Sequence, residues 1–194
     1  VAIVHLSSAL QSSLEAGAVT ITAEVMPPRG GDASHALEMA RGLKGHVHAV
    51  NVTDGSRAVM RMSSLAVARL LLDEGIEPVL QMACRDRNRI AIQADLLGAH
   101  ALGIRNLLCL TGDPVRAGDQ PKARPVNELE SVRLLQQVTA FNRGDDPVKG
   151  ELADGPTDIF AGAAADPQCA SWSGLVRRMQ RKKAAGARFI QTQM

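Results

Sequence analysis

Glu24 is the first residue of this sequence whose type and position suit it to chemistry. It closes a β-branched stretch that starts at Val19 and ends before Pro27, a residue that cannot donate to a sheet ladder. Alternation puts Val25 on one face of the predicted strand and Glu24 on the other. A carboxylate at this end of a strand stands where parallel α/β folds keep their active sites, although a solvated glutamate would show the same pattern. Proton transfer is the chemistry that such a group could perform.

Polar residues also end four later predicted strands. Each group alone is weak evidence, because Thr-Gly-Asp-Pro at 111–114 makes a good turn and the Arg-Asp-Arg run at 85–87 is more often solvated or self-paired. Five polar strand ends together are hard to explain as turns, and they predict a site at one mouth of a parallel sheet. The groups are Glu24; Asn51, Thr53, Asp54 and Ser56; Gln81 with 84–88; Thr111, Gly112 and Asp113; and Gln191 with Gln193.

The spacing of the predicted strands indicates the fold that must position these groups. Strands are predicted to begin near residues 18, 46, 76, 104, 157 and 188, mostly 28–31 residues apart, with helices between them. This step is the size of a βα unit, so the pattern predicts a parallel α/β sheet. We favour a (β/α)8 TIM barrel of which the chain covers about the first six units, because a whole barrel typically needs about 250 residues. The alternative is an open doubly wound sheet, but no glycine-rich dinucleotide fingerprint follows the first strand.

Composition argues against several other classes of protein. The 194 residues carry a net charge of +2, with three Phe, one Trp and no Tyr, so neither a nucleic-acid surface nor a base-stacking platform is expected. Three cysteines without metal or redox spacing predict free thiols in a reducing cytoplasm, and no metal site is predicted. No apolar run approaches the roughly 18 residues of a membrane span. We expect a single domain over 1–194 that is incomplete at its C-terminus, because the chain starts at Val1 and stops within a strand pattern.

Over 19–193 the sequence resembles the methylenetetrahydrofolate reductases, a family of flavin enzymes built on a (β/α)8 barrel. The resemblance is carried by five motifs in a fixed order: Glu24 to Arg29, Val52 to Gly55, Cys84 to Asn88, Leu110 to Pro114, and Ala185 to Gln193. The third motif is similar to the branch that is sometimes fused to a homocysteine methyltransferase domain. The resemblance implies reduction of 5,10-methylenetetrahydrofolate to 5-methyltetrahydrofolate, with FAD as cofactor and NADH or NADPH as hydride donor.

The resemblance also implies roles for single residues. Glu24 matches the family's general acid, and desolvation in a barrel mouth would favour its protonated form. Asp113 matches the aspartate beside the flavin pyrimidine and the pterin. Gln193 matches the glutamine that contacts folate and nicotinamide in turn, which suits an amide because it both donates and accepts. The family's flavin-contacting positions fall on Thr53, Asp54, Ser56, Gln81, Thr111, Gly112, Asp113, Asp166 and Lys182.

Three departures from the family pattern concern the binding of the flavin. Gln81 stands where many members have His, Thr111 where they have Arg, and Asp166 where they have Tyr. Two other functions stay open: a folate- or flavin-binding fragment that acts only with a partner chain, and another barrel enzyme of pterin or one-carbon chemistry without flavin. We expect a small-molecule folate substrate, no nucleic acid and no membrane, with a homo-oligomer or an electron-transfer partner subunit as the assemblies to test.

Overall fold

The computed structural model describes residues 7–192, in which helices and strands alternate throughout. The strands are β1 (Thr22–Val25), β2 (Ala49–Val52), β3 (Pro78–Ala83), β4 (Asn106–Leu110), β5 (Phe160–Ala165) and β6 (Phe189–Thr192). The helices are α1 (Ala9–Glu15), α2 (Ser34–Leu43), α3 (Ser64–Asp73), α4 (Arg89–Ala101), α5 (Ser131–Arg143) and α6 (Trp172–Ala184). Short 3-10 turns at Ser56–Ala58 and Val115–Ala117 lie in the loops after β2 and β4.

The six strands form one sheet in chain order, and every neighbouring pair is parallel. The sheet curls into a half-barrel, which confirms the prediction of an α/β fold made of about six units of a (β/α)8 barrel. A doubly wound sheet reverses its strand order at a switch point, and the order observed here has no reversal. Within 7–192, no helix combines the length and the apolar character needed to cross a bilayer.

The two faces of the sheet have different partners because successive side chains of a strand point to opposite sides. The outer face packs against the helices and forms the larger core, with Val52, Leu80 and Leu107 almost wholly buried. The inner face surrounds the axis of the half-barrel, and we call this side the lumen. A smaller apolar cluster fills the lower part of the lumen: Leu10, Ala49, Val79, Leu108 and Phe160.

Helix α1 closes the lumen at the amino ends of the strands. The backbone N–H groups of Ala9 and Leu10 donate to the two carboxylate oxygens of Glu77 at 2.6 and 2.9 Å. Asn106 Nδ2 also donates to Glu77, at 2.9 Å, while Asn106 Oδ1 accepts from Ser8 Oγ at 2.6 Å. These hydrogen bonds satisfy the polar groups that α1 buries, so α1 closes this end of the lumen.

Strand β1 is shorter than the sequence pattern predicts. Its pairing with β2 begins at Thr22, whereas the β-branched run begins near Ala18. Val19 and Ile21 are therefore left 86% and 52% exposed, because β1 lies at an edge of the sheet that the described residues form and these two residues precede its ladder. The four-residue spacing of Leu6, Leu10 and Leu14 also predicts a short helix before the first strand; α1 contains Leu10 and Leu14, and Leu6 lies outside the described residues.

Strand β5 begins at Phe160 rather than at Thr157, where the pattern placed it. Asn142 on α5 accounts for the difference, since its Oδ1 accepts from Thr157 Oγ1 at 2.7 Å and from the backbone N–H of Ile159 at 3.0 Å. These contacts hold the preceding segment against the helix, so it enters the sheet three residues later than periodicity alone suggests.

Candidate active site

A polar cleft of about 760 Å³ opens at the carboxyl ends of the strands, opposite the end that α1 seals. Its volume falls within the range of small-molecule sites, roughly 300–1,000 Å³. All six strands or the loops that follow them contribute to the wall. The lining residues are Glu24, Thr53, Asp54, Ser56, Arg57, Gln81, Ala83, Arg85, Leu108, Leu110, Thr111, Gly112, Asp113, Ala164, Gln191 and Thr192.

Glu24 extends from β1 into the cleft and is one of its exposed side chains. Gln81 Nε2, two strands away on β3, donates to Glu24 Oε2 at 3.3 Å. Side chains of alternate strands share a layer inside a barrel, which explains how residues on β1 and β3 meet across β2. Gln81 is itself buried, so it is a fixed amide that holds one oxygen of a more accessible carboxyl group.

Two polar atoms, one on β2 and one on the residue that follows this strand, are buried beside this pair without a hydrogen-bond partner in the described part of the chain. They are Asn51 Oδ1 and Thr53 Oγ1, on residues that are each only 2% exposed. Both residues face the lumen, and Asn51 is the register partner of Glu24. Buried polar atoms are usually satisfied, so atoms left over at a cleft indicate hydrogen bonds that a bound ligand, a water or a change of protonation completes.

Asp113 approaches the same cleft from the loop after β4. Its Oδ2 accepts from the backbone N–H of Arg57 at 2.7 Å, which ties this loop to the one after β2. Arg57 and Ala58 both have positive φ angles, 57° and 56°, a conformation that non-glycine residues seldom adopt. Gly118 supports this strained turn, because a Cβ there would lie 1.8 Å from Ala58 O. The position of the Asp113 carboxylate thus depends on backbone strain held by close packing.

The cleft brings an acid from β1 together with a carboxylate from the loop after β4, the arrangement that the motifs predicted. A family model described as methylenetetrahydrofolate reductase matches residues 9–194. The chain belongs to the methylenetetrahydrofolate reductase family. At the level of the family, this assigns the barrel to the reduction of methylenetetrahydrofolate.

Arg85 is a site residue that our interpretation of the reductase motif underestimated. The side chain is buried, pairs with Asp86 at 2.6 Å and lies close under two loop glycines. A Cβ at Gly55 would come within 2.7 Å of Arg85 Nη2, and one at Gly112 within 2.8 Å of Arg85 Cβ. The signal was present in the sequence, because the lumen alternation of Gln81 and Ala83 continues to Arg85.

Two further residues on predicted flavin positions in this reductase fold, Asp54 and Thr111, have structural partners as well. The Asp54 carboxylate accepts from Arg87 Nη1 at 2.6 Å and from the backbone N–H of Ala83 at 2.8 Å. Thr111 Oγ1 accepts from the backbone N–H of Ser131 at 3.2 Å, at the start of α5. Both side chains therefore shape the loops of the cleft as well as its wall.

Asp166 and Lys182 lie outside the main cleft, in an adjoining hollow of about 230 Å³. Ala164 lines both cavities, so the hollow extends the reductase cleft towards α6. Lys182 Nζ donates to Ala164 O at 2.5 Å. Burial lowers the pKa of Lys182, and the positive charge of Arg178 in the same hollow lowers it further. A half-buried ammonium next to a second cation suits this hollow to an anion.

Gln193, the predicted folate and nicotinamide contact, lies outside the described residues. Gln191, two positions earlier on β6, lines the cleft. Side chains two residues apart in a strand share a face, so β6 presents an amide to the same space that Glu24 and Asp113 border. The role of Gln193 in the reductase stays a prediction.

Proposed function

We propose that the chain reduces 5,10-methylenetetrahydrofolate to 5-methyltetrahydrofolate, with NADH or NADPH as hydride donor and FAD as the bound carrier. One observation carries the proposal: Glu24 and Asp113 border the same cleft, about 760 Å³ in volume. That volume is sufficient for two stacked heterocycles in a site of ordinary size. Family membership supports the same reaction, because the match extends over residues 9–194.

The residues present fit a flavin. Thr53 Oγ1 is buried without a partner in the described chain and faces the cleft, as expected of a hydroxyl that bonds a ring heteroatom. Gly112 has a φ of 98°, and a Cβ there would clash with Arg85, so the loop keeps bare backbone at the cleft wall. The hollow with Lys182 offers the cations that a diphosphate needs. When bound, the flavin would supply the two-electron hydride transfer between nicotinamide and folate.

The holding residues divide between the two cavities. We assign the ring system to the main cleft and the diphosphate side to the hollow, since the hydroxyls and amides line the first and Lys182 the second. The proposed flavin contacts are Thr53, Asp54, Ser56, Gln81, Thr111, Gly112 and Asp113 in the cleft, with Asp166 and Lys182 in the hollow.

Glu24 is the proposed general acid. Opening the one-carbon bridge of the substrate leaves a departing nitrogen that needs a proton, and the Glu24 carboxyl reaches into the cleft where the pterin would lie. Gln81 Nε2 holds Oε2, which leaves Oε1 as the oxygen that carries and transfers the proton. General acid catalysis of this kind contributes roughly 10²–10⁴-fold in rate.

Asp113 is the proposed pterin contact, and it also sets the charge of the cleft. Its carboxylate is held by the Arg57 backbone N–H, so it can accept from the pterin in a fixed orientation. An ionised carboxylate there disfavours negative charge on an adjacent reduced ring, which favours release of hydride to the folate. Gln193 remains our prediction for the amide that contacts folate and nicotinamide in turn.

The visible spectrum of the purified chain tests the proposal. We expect a flavin absorbance that is bleached anaerobically by NADH or NADPH and restored by methylenetetrahydrofolate, with FAD identified in the released cofactor. A flavin that is reduced but not reoxidised by folate would favour a binding fragment that needs a partner chain. A colourless protein that also fails to take up added FAD would favour a pterin enzyme without flavin.

A further inference from the structure

We propose that Asn51 is a positioning residue that keeps a proton on Glu24 Oε1 by accepting a hydrogen bond from it. The inference rests on the proposed role of Glu24 as the general acid, and it adds a residue that the motif comparison did not single out. Asn51 would act only through Glu24, without touching substrate or cofactor.

The register of the sheet places the two residues side by side. Glu24 on β1 is paired with Asn51 on β2, and both side chains are on the lumen face. Asn51 Nδ2 donates to the backbone carbonyl of Ala23 at 3.3 Å, which fixes the amide and leaves Oδ1 as its free end. This oxygen is buried and has no donor among residues 7–192. Neighbouring strands lie about 4.7–4.9 Å apart, so register partners whose side chains share a face are adjacent.

Protonation of Glu24 would satisfy the orphaned acceptor. An ionised carboxylate only accepts hydrogen bonds, so it cannot serve Asn51 Oδ1, whereas a carboxylic acid has one O–H to donate. Gln81 Nε2 already donates to Oε2, so the proton belongs on Oε1. Burying an amide oxygen without a partner is unfavourable, and this penalty is removed when Glu24 holds its proton.

Most of the charged side chains that line the cleft with Glu24 are engaged with other partners. Four charged residues line the cleft together with Glu24: Asp54, Arg57, Arg85 and Asp113. Three of these four groups have hydrogen-bonded partners, since Asp54 pairs with Arg87, Arg85 with Asp86, and Asp113 with a backbone N–H. Asn51 is thus a local and specific control on the proton of Glu24.

The test follows the Glu24 carboxyl directly, by carbon-13 NMR of side-chain carboxyls across a pH titration, with and without added FAD. The Glu24→Gln variant assigns the signal by its loss. We expect Asn51→Leu, which is isosteric but apolar, to move the titration of Glu24 to lower pH by about one unit, a tenfold change in its protonated fraction. We expect Asn51→Asp to move proton release from the pair to higher pH, because two adjacent carboxyls share one proton.

Gln137→Leu is the matched control. Gln137 is a buried amide on α5 with an orphaned Nε2, and it does not line the cleft. Its substitution removes the same kind of group and should leave the Glu24 titration unchanged. If Asn51→Leu does not fold, the isosteric Asn51→Asp variant carries the test alone.

A kinetic readout separates this inference from the proposed function. In the reoxidation of reduced enzyme by methylenetetrahydrofolate, Asn51→Leu should slow the reaction about tenfold at alkaline pH and recover at acid pH, where solvent protonates Glu24. Its reduction by NADH or NADPH should be unchanged. If the titration of Glu24 is the same in the Asn51 variants as in the wild type, the inference is overturned even if the enzyme is active. Wild-type protein that folate cannot reoxidise overturns the function, whatever the titration shows.

Discussion

The two ends of the lumen both hold a glutamate and a buried asparagine, yet their hydrogen bonding differs. At the amino end, Glu77 accepts from two backbone N–H groups and from Asn106, and Asn106 uses both its amide groups. At the carboxyl end, Glu24 has a single bond of 3.3 Å from Gln81, and Asn51 Oδ1 has no partner in the described residues. The same side-chain types are therefore satisfied at one end and incomplete at the other.

This difference separates structural from functional polar groups. A closed hydrogen-bond network stabilises the fold, and losing one member leaves the others unsatisfied. An incomplete set costs stability and persists where the missing partner is a ligand, a water or a transferable proton. We therefore expect substitutions at the amino end to lower the free energy of unfolding, and substitutions at the carboxyl end to lower activity.

The largest effect is expected for Glu24→Gln. The amide keeps the shape of the side chain but has no acidic proton, so reoxidation of the flavin by methylenetetrahydrofolate should fall by roughly 10²–10⁴-fold. Flavin binding and reduction by nicotinamide should persist, and urea unfolding should change by less than about 0.5 kcal/mol because the side chain is exposed. Stopped-flow absorbance measures both half-reactions. Normal folate turnover in this variant would end the assignment of Glu24 as the acid.

The second effect concerns stability and is predicted for Asn106→Leu. This residue is wholly buried, and its loss deprives Glu77 and Ser8 of partners, so unfolding in urea should become easier by about 1–3 kcal/mol. Asn51→Leu is the comparison at the other end. It removes an amide whose carbonyl is orphaned, so its cost should be clearly smaller. Equal losses in the two variants would contradict the distinction between the ends.

Asp113→Asn should give a smaller change, visible in the flavin potential. Removing a negative charge from the cleft favours the reduced ring, so the midpoint potential should rise by tens of millivolts and folate reduction should slow. Asp119→Asn is the control, since this loop carboxylate pairs with Arg29 and does not line the cleft. A dye-equilibrated redox titration of both variants gives the answer. An unchanged potential in Asp113→Asn would count against its proposed place beside the flavin.

Periodicity was sufficient to predict the fold of this chain. The repeated βα spacing predicts a parallel sheet, and the burial of β3 along its whole length and of β4 as far as Cys109 agrees with strands covered on both faces. The errors lie at strand starts, where tertiary contacts decide. Val19 looks like a strand residue, but at the sheet edge it has no ladder to join. Thr157 lies outside the sheet because its hydroxyl donates to the side-chain amide oxygen of Asn142 on α5.

The site was predictable where a motif marks a strand end, as at Glu24 and Asp113. It was not predictable where function depends on what a neighbouring strand leaves unsatisfied. Nothing in the local sequence distinguishes Asn51, whose Oδ1 is orphaned, from Asn106, whose bonds are complete. The difference arises from register, which sets the residue opposite each one. The burial of Arg85 was underestimated for a related reason. A run of charged residues resembles solvated surface, and only the alternation of Gln81 and Ala83 on β3, continued to residue 85, places Arg85 on the lumen side.

The predicted effect that is smallest at neutral pH lies on the outer side of the sheet, where the thiols of Cys84 and Cys109 are buried. Burial raises the pKa of Cys84 to about 12, with a further contribution from the Glu130 carboxylate, and burial also raises the pKa of Cys109. An unfolded thiol titrates near pH 8.5, so above that pH the unfolded chain binds fewer protons than the folded one. The free energy of unfolding should therefore fall as pH rises from about 8.5 towards 12, by at most about 1.4 kcal/mol per pH unit for each thiol.

Cys84→Ala should reduce this alkaline slope, measured by urea unfolding at several pH values. Cys169→Ala is the control, because that thiol lies partly exposed in the hollow beside Lys182. The lowered pKa of Lys182 gives a slope of the opposite sign, but it is common to both variants and cancels in their difference. Equal slopes in the two variants would mean that Cys84 ionises as readily in the folded chain as in the unfolded one. Water or charge would then reach the outer face of the sheet near β3. The contrast between an apolar outer face and a lumen whose polar groups lack partners would no longer hold.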